Sequence, residues 1–484
     1  MSFEMLGLSE FGTALSRVTA ELDAGSKRAI GRGAAEVEKT AKENAAGTPG
    51  PDVVTGTLRR GVGHTPVHRV GLVGWQSEVG PTVIYSRRID LGFHGTDSLG
   101  RVYCVDEQTE ALTIQGWRKH DELQAGDLIL ALDPATWTMK WTPVQAVHRY
   151  GGVHNAVRFG GRTMSVLATA EHRWLTQRYY GRGKRFVSGW RTTVELTQSD
   201  RFPLSAPRGD APPTKTHSDD LVEFVAWFWT EGSFDWSRRR QQNDKRTATT
   251  RPISLSLSQS PRANPEKCVR IEALLSRLFG LPGRFEDGAH WHGRINSHTG
   301  TCTYRIDRVA AWLVENLVRR PSKALEPAFL CSLTNEQLEL LINVSLLADG
   351  YVDPMGTARL SQDDEERIRG FEMACALAGR PITTHFVPRR NRWITTLLHR
   401  PFGSPLSNAF RADRPGGTYE PLQHEGLMWC PTTELGTWLA RRDGTIYVTG
   451  NSQEAKPFFT PAWEKVVHRL PGIYAEEWSK GLVG

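Results

Sequence analysis

A chain of 484 residues has room for about three domains of ordinary size. Its 39% hydrophobic and 23% charged residues strike a globular balance; no run of about 18 apolar residues offers a membrane span, and Met1-Ser2-Phe3-Glu4 lacks a basic-then-apolar leader, so a membrane or secreted protein is not expected. Six cysteines without a CxxC pair argue against a zinc ribbon or disulfide framework and leave thiols free in a reducing cytoplasm, and the net charge of +7 is mild.

Phe11, Leu15, Val18 and Leu22 recur at intervals of four, three and four, which predicts a helix over the first 46 residues with these four on its buried face. Gly47-Thr48-Pro49-Gly50-Pro51 ends it, and from 52 to 103 short strand-like runs such as Val70 to Trp75 and Thr82 to Tyr85 alternate with glycines, a small sheet. From Cys104 to about residue 204 the texture becomes that of a compact all-β unit, with runs such as Asp127 to Leu132. Ser205 to Pro213 is rich in Pro and Gly and reads as a linker. Beyond it, helices over 219–231 and 335–349 and strands over 253–258, 302–307, 356–361 and 393–398 repeat the order helix, strand, strand. Arg238-Arg239-Arg240, Lys245-Arg246 and Arg389-Arg390 concentrate positive charge there, suited to phosphate. An irregular segment, Pro401 to Pro421, leads back into β-like sequence ending at Asn451, and the tail is helical after Pro461, with Val466, Val467 and Leu470 on a buried face. The β-unit is thus split by the mixed unit, and together they interrupt a smaller first protein.

Groups able to attack a neighbouring carbonyl stand at both borders of the interruption: the thiol of Cys104, the carboxamide of Asn451 and the hydroxyl of Ser452. Cys104 opens a stretch with an acidic turn and a Gly-Asp before a strand. Thr169-Ala170-Glu171-His172 follows, and Trp429-Cys430-Pro431 and Ile446 to Asn451 close the segment. In this order the four motifs resemble those of an intein. The resemblance implies an all-β Hint splicing fold (104–204 and 401–451) that excises itself and joins Tyr103 to Ser452, with residues 1–103 and 452–484 as the flanking exteins.

Two positions depart from the common intein pattern: Gly450 stands where a His usually precedes the terminal Asn, and Gly436 and Thr437 stand where another His is usual. Trp174, Cys430 and Thr449 instead resemble the Trp, Cys, Thr signature of the third mechanistic class, often found in phage genes. That class implies direct attack of Cys430 on the Tyr103 carbonyl, with Thr169 and His172 at the scissile amide and His172, near neutrality, as the acid for the departing nitrogen. The acyl group then passes to Ser452, Asn451 cyclises to release the intein, and the Ser452 amine captures the ester without a cofactor. Cys104 departs from the class, which typically lacks a leading nucleophile, so a first acyl shift onto Cys104 stays open.

Within the mixed unit (218–400, after a linker at 205–217), FVAWFWTEG at 224–232 and INVSLLADG at 342–350 each end a helix in an acid followed by glycine. They resemble the paired motifs of LAGLIDADG homing endonucleases. The resemblance implies an α+β nuclease in which Glu231 and Asp349 bind Mg2+ between them, Lys323 stabilises the transition state, and strands after each helix form saddles on a double-stranded DNA target, the intein-less allele. Ala226 suits a close helix crossing; Val344 is bulky for one.

The joined flanks make 136 residues. Thr55 to Arg60, Val79 to Tyr85, Gly92 to Gly95 and Ala455 to Pro461 resemble tail-completion or head-tail joining proteins of tailed bacteriophages. That implies a small α+β protein assembling as a ring with connector and tail proteins at the virion neck, after splicing in the bacterial cytoplasm.

Overall fold

The computed structural model describes residues 8–46, 57–71, 74–82, 102–161, 163–180, 185–235, 252–406, 417–451 and 458–482. Ser452, the basic runs Arg238-Arg239-Arg240 and Lys245-Arg246, the turn Gly47 to Pro51 and the segment Gly92 to Gly95 lie outside the described residues, as do parts of the other three extein motifs. The chain divides into two compact units, Met1–His94 with Gln453–Gly484, and Gly95–Ser452. No described helix is long and apolar enough to cross a membrane.

In the first unit α1 (Leu8–Asn44) packs against the closing helices Thr460–Val467 and Leu470–Leu482, beside two short hairpins. The buried face differs from the expected one. Leu15 and Val18 are 55% and 40% exposed, whereas Gly25, Ala29, Gly33, Val37, Ala41 and Ala45 form a buried stripe at every fourth residue. Small side chains let the closing helices approach: a Cβ at Gly33 would lie 2.7 Å from the Leu470 side chain, and one at Gly25 2.8 Å from the Trp478 ring.

The second unit begins with β1 (Val105–Asp106), β2 (Glu110–Thr113), β3 (Leu128–Asp133), β4 (Thr138–Gly161), β5 (Met164–Thr169), β6 (Arg173–Tyr180) and β7 (Arg185–Thr192). The middle of the chain supplies α2 (Asp219–Glu231), β8 (Gly232–Asp235), β9 (Ser254–Gln259), α3 (Pro265–Phe279), β10 (Trp291–Ile295) and β11 (Cys302–Ile306). It continues with α4 (Asn335–Asp349), β12 (Gly350–Val352), β13 (Ala358–Gln362), α5 (Glu365–Leu377), β14 (Ile382–Val387) and β15 (Arg392–Leu397). The chain then returns as β16 (Gly417–Thr433), β17 (Thr437–Arg442) and β18 (Thr445–Gly450).

The internal duplication is fuller than helix, strand, strand. Each half runs α-β-β-α-β-β, and the four strands of each half lie side by side in the order first, second, fourth, third. The added elements are the helices α3 and α5 and the strands β8, β10, β12 and β14; α3 buries a regular stripe, Cys268, Ile271, Leu275 and Phe279, a helical signal present in the sequence, whereas β8 and β12 are too short to show a period. Helices α2 and α4 are capped alike: Ser218 and Thr334 accept hydrogen bonds from Leu221 N and Gln337 N.

The two parts of the second unit share one sheet. Its path runs β5, β1, β16, β4, β3, β2, β17, β18, β14, β15, β13, β12, with Thr383 of β14 opposite Thr445 of β18. Along β2, β3, β17 and β18 alternate residues face different cores, as the period of a strand requires. Ala111, Ile129, Trp438, Ala440 and Tyr447 join Trp174, Phe159 and Trp429, whereas Leu112, Leu130, Leu132, Leu439, Ile446 and Val448 join Trp227, Trp229 and Phe371 of the mixed unit. Burial on both faces explains the unbroken apolar run Leu128 to Leu132.

A buried ion cluster crosses the same junction. Arg441 bonds Glu372 of α5 at 2.8 Å and Glu110 of β2 at 2.5 Å, and Arg369 of α5 also reaches Glu110 at 2.6 Å. The segment expected to be a loose linker is irregular but pinned: Ser205, Ala206 and Arg208 are buried, Met139 N and Trp141 N donate to Pro207 O and Asp210, and Arg208 donates to the carbonyl of Cys331. The segment read as a linker thus joins two parts that pack within one compact unit.

Candidate active sites

The long ladder between β4 and β16 carries Cys430, and β1 pairs on the other side of β16 with Val105 opposite Trp429. One step further along this register, Cys104 comes opposite Cys430. Both thiols are buried, and with Val102 and Met428 they form a small apolar cluster. Burial first, and the neighbouring Cys430 second, push the Cys104 thiol well above its ordinary range. A thiol so placed is a weak source of thiolate.

Thr169, at the end of β5, holds the amide between Tyr103 and Cys104. Its hydroxyl accepts from Cys104 N at 3.0 Å, and its own N–H donates to Cys104 O at 2.9 Å. His172 is completely buried, and its Nε2 lies 2.6 Å from the Thr449 hydroxyl. Trp174 meets His172 edge to face at 4.8 Å and donates its indole N–H to Thr193. The Trp174, Cys430 and Thr449 triplet of the sequence thus splits into two contacts: Trp174 and Thr449 orient His172, while Cys430 sits beside Cys104.

One expectation for His172 is corrected. Desolvation lowers its pKa from 6.5 to about 4, against an opposing hydrogen bond with the backbone of Tyr103, so the resting imidazole is neutral at pH 7. Its Nδ1 has no geometrically sound partner, although the Tyr103 backbone is near enough to favour its protonated form. A negative charge placed on the Tyr103 carbonyl would raise the affinity of His172 for a proton.

At the other seam Asn451 is buried, with Nδ2 donating to Thr433 O at 3.1 Å and its backbone N–H to Gly436 O at 3.0 Å. Gly436 has φ +74°, the left-handed region that favours glycine. Gly450 has no space for a side chain: a Cβ there would lie 2.4 Å from the Arg173 carbonyl and 2.8 Å from the Trp190 ring. Neither Thr433 nor Trp190 was singled out from sequence, and no local motif marks them.

In the mixed unit α2 and α4 pack together, with the Trp229 indole donating to Ser345 at 2.8 Å and with Ala226 and Val344 both buried. The two helices end in Glu231 and Asp349. Burial first and the charge of Asp349 second raise the pKa of Glu231; burial raises that of Asp349 against Arg392, Arg367 and Lys267. Each acid is held by an equivalent glutamine, Gln259 to Glu231 at 3.2 Å and Gln362 to Asp349 at 2.5 Å. These glutamines were missed, although Leu257-Ser258-Gln259 and Leu360-Ser361-Gln362 repeat one tripeptide after the two helices. Lys323 donates to Gly232 O, and burial lowers its pKa to about 8 with Arg367 adding to the fall and both acids opposing it.

Two half-buried carboxylates, one repelled by the other, are a donor set that a divalent cation would relieve. No cluster of three or more His, Cys, Asp or Glu side chains suited to a metal occurs among the described residues, so further ligands would come from backbone, water or substrate. The sheets beyond the acids expose Arg294, Arg305, Arg359, Arg389, Arg390 and Arg392.

No protein-family model matches the chain, and no curated protein does. Among solved structures, mesophilic variants of the homing endonuclease I-DmoI match 38% of this chain and 89% of theirs at 10% identity with a TM-score of 0.27. A glutathione-linked, splice-inactive variant of the AceL NrdHF class 3 split intein matches 21% and 62% at 14% identity and TM-score 0.17. The DnaB intein from Synechocystis sp. PCC 6803 matches 21% and 68% at 19% identity and TM-score 0.17. Another I-DmoI structure holds DNA and manganese and matches 37% and 89% at 10% identity with a TM-score of 0.26.

Proposed function

We propose that residues 104–451 are a self-splicing intein of the Trp, Cys, Thr class carrying a LAGLIDADG homing endonuclease over 218–400, and that the joined exteins form a phage head-tail joining protein. The observation that carries the splicing reading is the convergence of Cys104, Cys430, Thr169, His172 and Thr449 on the Tyr103–Cys104 bond from four separate stretches of chain. The Cys430 thiolate attacks the Tyr103 carbonyl, Thr169 holds the amide in place, and His172, protonated as the oxyanion forms, passes its proton to the nitrogen of Cys104. The acyl group moves to the Ser452 hydroxyl. Asn451 then closes on its own carbonyl, and the freed Ser452 amine captures the ester. Every step is intramolecular, so high effective molarity supplies much of the rate.

For the nuclease, Glu231 and Asp349 would hold Mg2+, which when bound neutralises phosphate charge and makes water a better nucleophile. Gln259 and Gln362 orient the two carboxylates, Lys323 stabilises charge developing on the phosphate, and the exposed arginines of the two sheets fix the duplex backbone. The partly buried acid pair at the two helix ends, with Asp349 raising the pKa of Glu231, supports this reading.

Expression followed by mass spectrometry tests the splicing proposal. The expected products are chains of 348 and 136 residues. Cys430→Ala is expected to block ligation, whereas Cys104→Ala still splices because its nitrogen, not its sulfur, is the leaving group. A splicing Cys430→Ala protein eliminates this mechanism, and a single unprocessed chain of 484 residues eliminates splicing.

A further inference from the structure

The ladder that carries Cys430 sets His148 of β4 directly opposite it. Side chains along a strand alternate between faces, so Met428, Cys430 and Thr432 share one face with Tyr150, His148 and Ala146. The contacts agree with that register. His148 Nε2 lies 3.1 Å from the Thr432 hydroxyl, the imidazole stacks on the Tyr150 ring with centroids 6.5 Å apart, and Tyr150 packs on the Cys104 and Cys430 cluster. Directly opposed residues of an antiparallel pair hold their Cβ atoms about 4.5 to 5.5 Å apart, a spacing an imidazole bridges to a thiol. At rest the Cys430 thiol donates to the Pro431 carbonyl at 3.5 Å, a group that cannot take its proton, and the mechanism above names no base for it.

We propose that His148 is that acceptor, an inference that rests on Cys430 being the first nucleophile. The S–H bond breaks, the proton goes to an imidazole nitrogen of His148, and the thiolate pair forms the C–S bond to the Tyr103 carbonyl carbon. Collapse of the intermediate breaks the C–N bond to Cys104, whose nitrogen takes one proton from His172; His148 gives its proton up to solvent and His172 takes one from it, so both rings end neutral. In sum one S–H and one C–N bond are lost, one C–S and one N–H bond are gained, and no co-reactant is consumed. The titratable groups sharing this face are Cys430 and Cys104 across the ladder and Tyr150 beside His148; further along lie His154 and His424, the latter 3.6 Å from Glu107. Arg149 points to the opposite face, where it donates to the carbonyls of His120 and Leu123.

The test uses the full chain carrying Asn451→Ala to stop release, with hydroxylamine-induced scission at the upstream seam as the measure of thioester, from pH 6 to 10. With His148 present, the rate is expected to level off once the imidazole has lost its proton, below the pH at which a free thiol ionises. His148→Gln keeps a hydrogen-bonding group beside Thr432 but cannot take a proton. It is expected to slow the step on the order of 100-fold at pH 7, with the deficit closing toward pH 10 as solvent ionises the thiol. An unchanged rate, or a deficit equal at every pH, overturns the proposal. Should His148→Gln fail to fold, the profile of the chain with His148 decides alone: a rate still climbing tenfold per unit up to about pH 8.5 reports direct thiol ionisation and refutes His148. Cys430→Ala in the same assay separates the two ideas, because persistent upstream scission there removes the parent reading whatever His148→Gln does.

Discussion

Complete burial makes His172 a different reagent from the one its residue type suggests. Its pKa falls from 6.5 to about 4 in the folded chain, so the native state favours the neutral ring and the unfolded state binds the proton more tightly. Stability from this residue is therefore full above about pH 6.5 and is lost as pH falls toward 4, a difference on the order of 3 kcal/mol. In a splice-blocked Cys430→Ala, Asn451→Ala background, urea unfolding at pH 7 and pH 4 should show that loss for His172 and not for His172→Gln. Equal pH dependence in the two proteins would refute neutral burial. Gly450 supports a second expectation at this scale. Since a Cβ there meets the Arg173 carbonyl and the Trp190 ring, Gly450→His should halt release at Asn451 rather than accelerate it, even though inteins commonly carry that histidine. Faster downstream cleavage, read by mass spectrometry, would contradict the packing. The sequence displayed the nucleophiles because their chemistry is legible by type. It hid the pKa of His172 and the crowding at Gly450, since both depend on Tyr103, Arg173 and Trp190, which come near only through folding.

Among the elements, α2 and α4 were readable to the residue, because a cap at Ser218 or Thr334 and an acid-glycine end bracket an apolar stretch. The glycines have a steric purpose. A Cβ at Gly232 would lie 2.3 Å from the Phe228 ring and one at Gly350 2.3 Å from the Leu346 carbonyl, so only glycine lets each chain turn directly from helix to strand behind its acid. Gly350→Ala should displace Asp349 and cut metal-dependent cleavage of a duplex selected from a randomised library by about 100-fold. Glu231→Gln or Asp349→Asn should abolish it, while all three proteins splice. Cleavage at the unmutated rate by Gly350→Ala would show that the turn does not set the acid. The helix α5 and the hairpin strands were less legible. The tripeptide Leu-Ser-Gln, repeated at 257–259 and 360–362, was the available signal, and its meaning emerges only when Gln259 and Gln362 are seen bonded to the two acids.

At the scale of the whole molecule the two proposed chemistries would use separate residues, but the parts that carry them do not fold separately. The apolar faces of β2, β3, β17 and β18 that carry Leu112, Leu130, Leu132, Leu439, Ile446 and Val448 are covered by the mixed unit, and exposing six such side chains costs about 9 to 18 kcal/mol at roughly 1.5 to 3 kcal/mol each. That is comparable to the entire net stability of a typical domain, about 5 to 15 kcal/mol. Removing residues 218–400 and joining the ends with a flexible linker should therefore yield an aggregating or non-splicing chain, whereas the point variants Glu231→Gln and Asp349→Asn leave splicing intact. The buried ion cluster gives a gentler probe of the same junction. Arg441→Met leaves Glu372 without its cation and Glu110 with Arg369 alone, and loss of one partner from a buried pair costs about 3 to 5 kcal/mol. Arg441 lies on the strand antiparallel to β18, which leads into Asn451, so the variant should lose stability in denaturant and splice more slowly at the downstream seam. If the shortened chain stays soluble and splices at the full-length rate, and Arg441→Met unfolds at the unmutated denaturant midpoint, the shared sheet and core contribute nothing to the splicing fold and the two parts are independent after all.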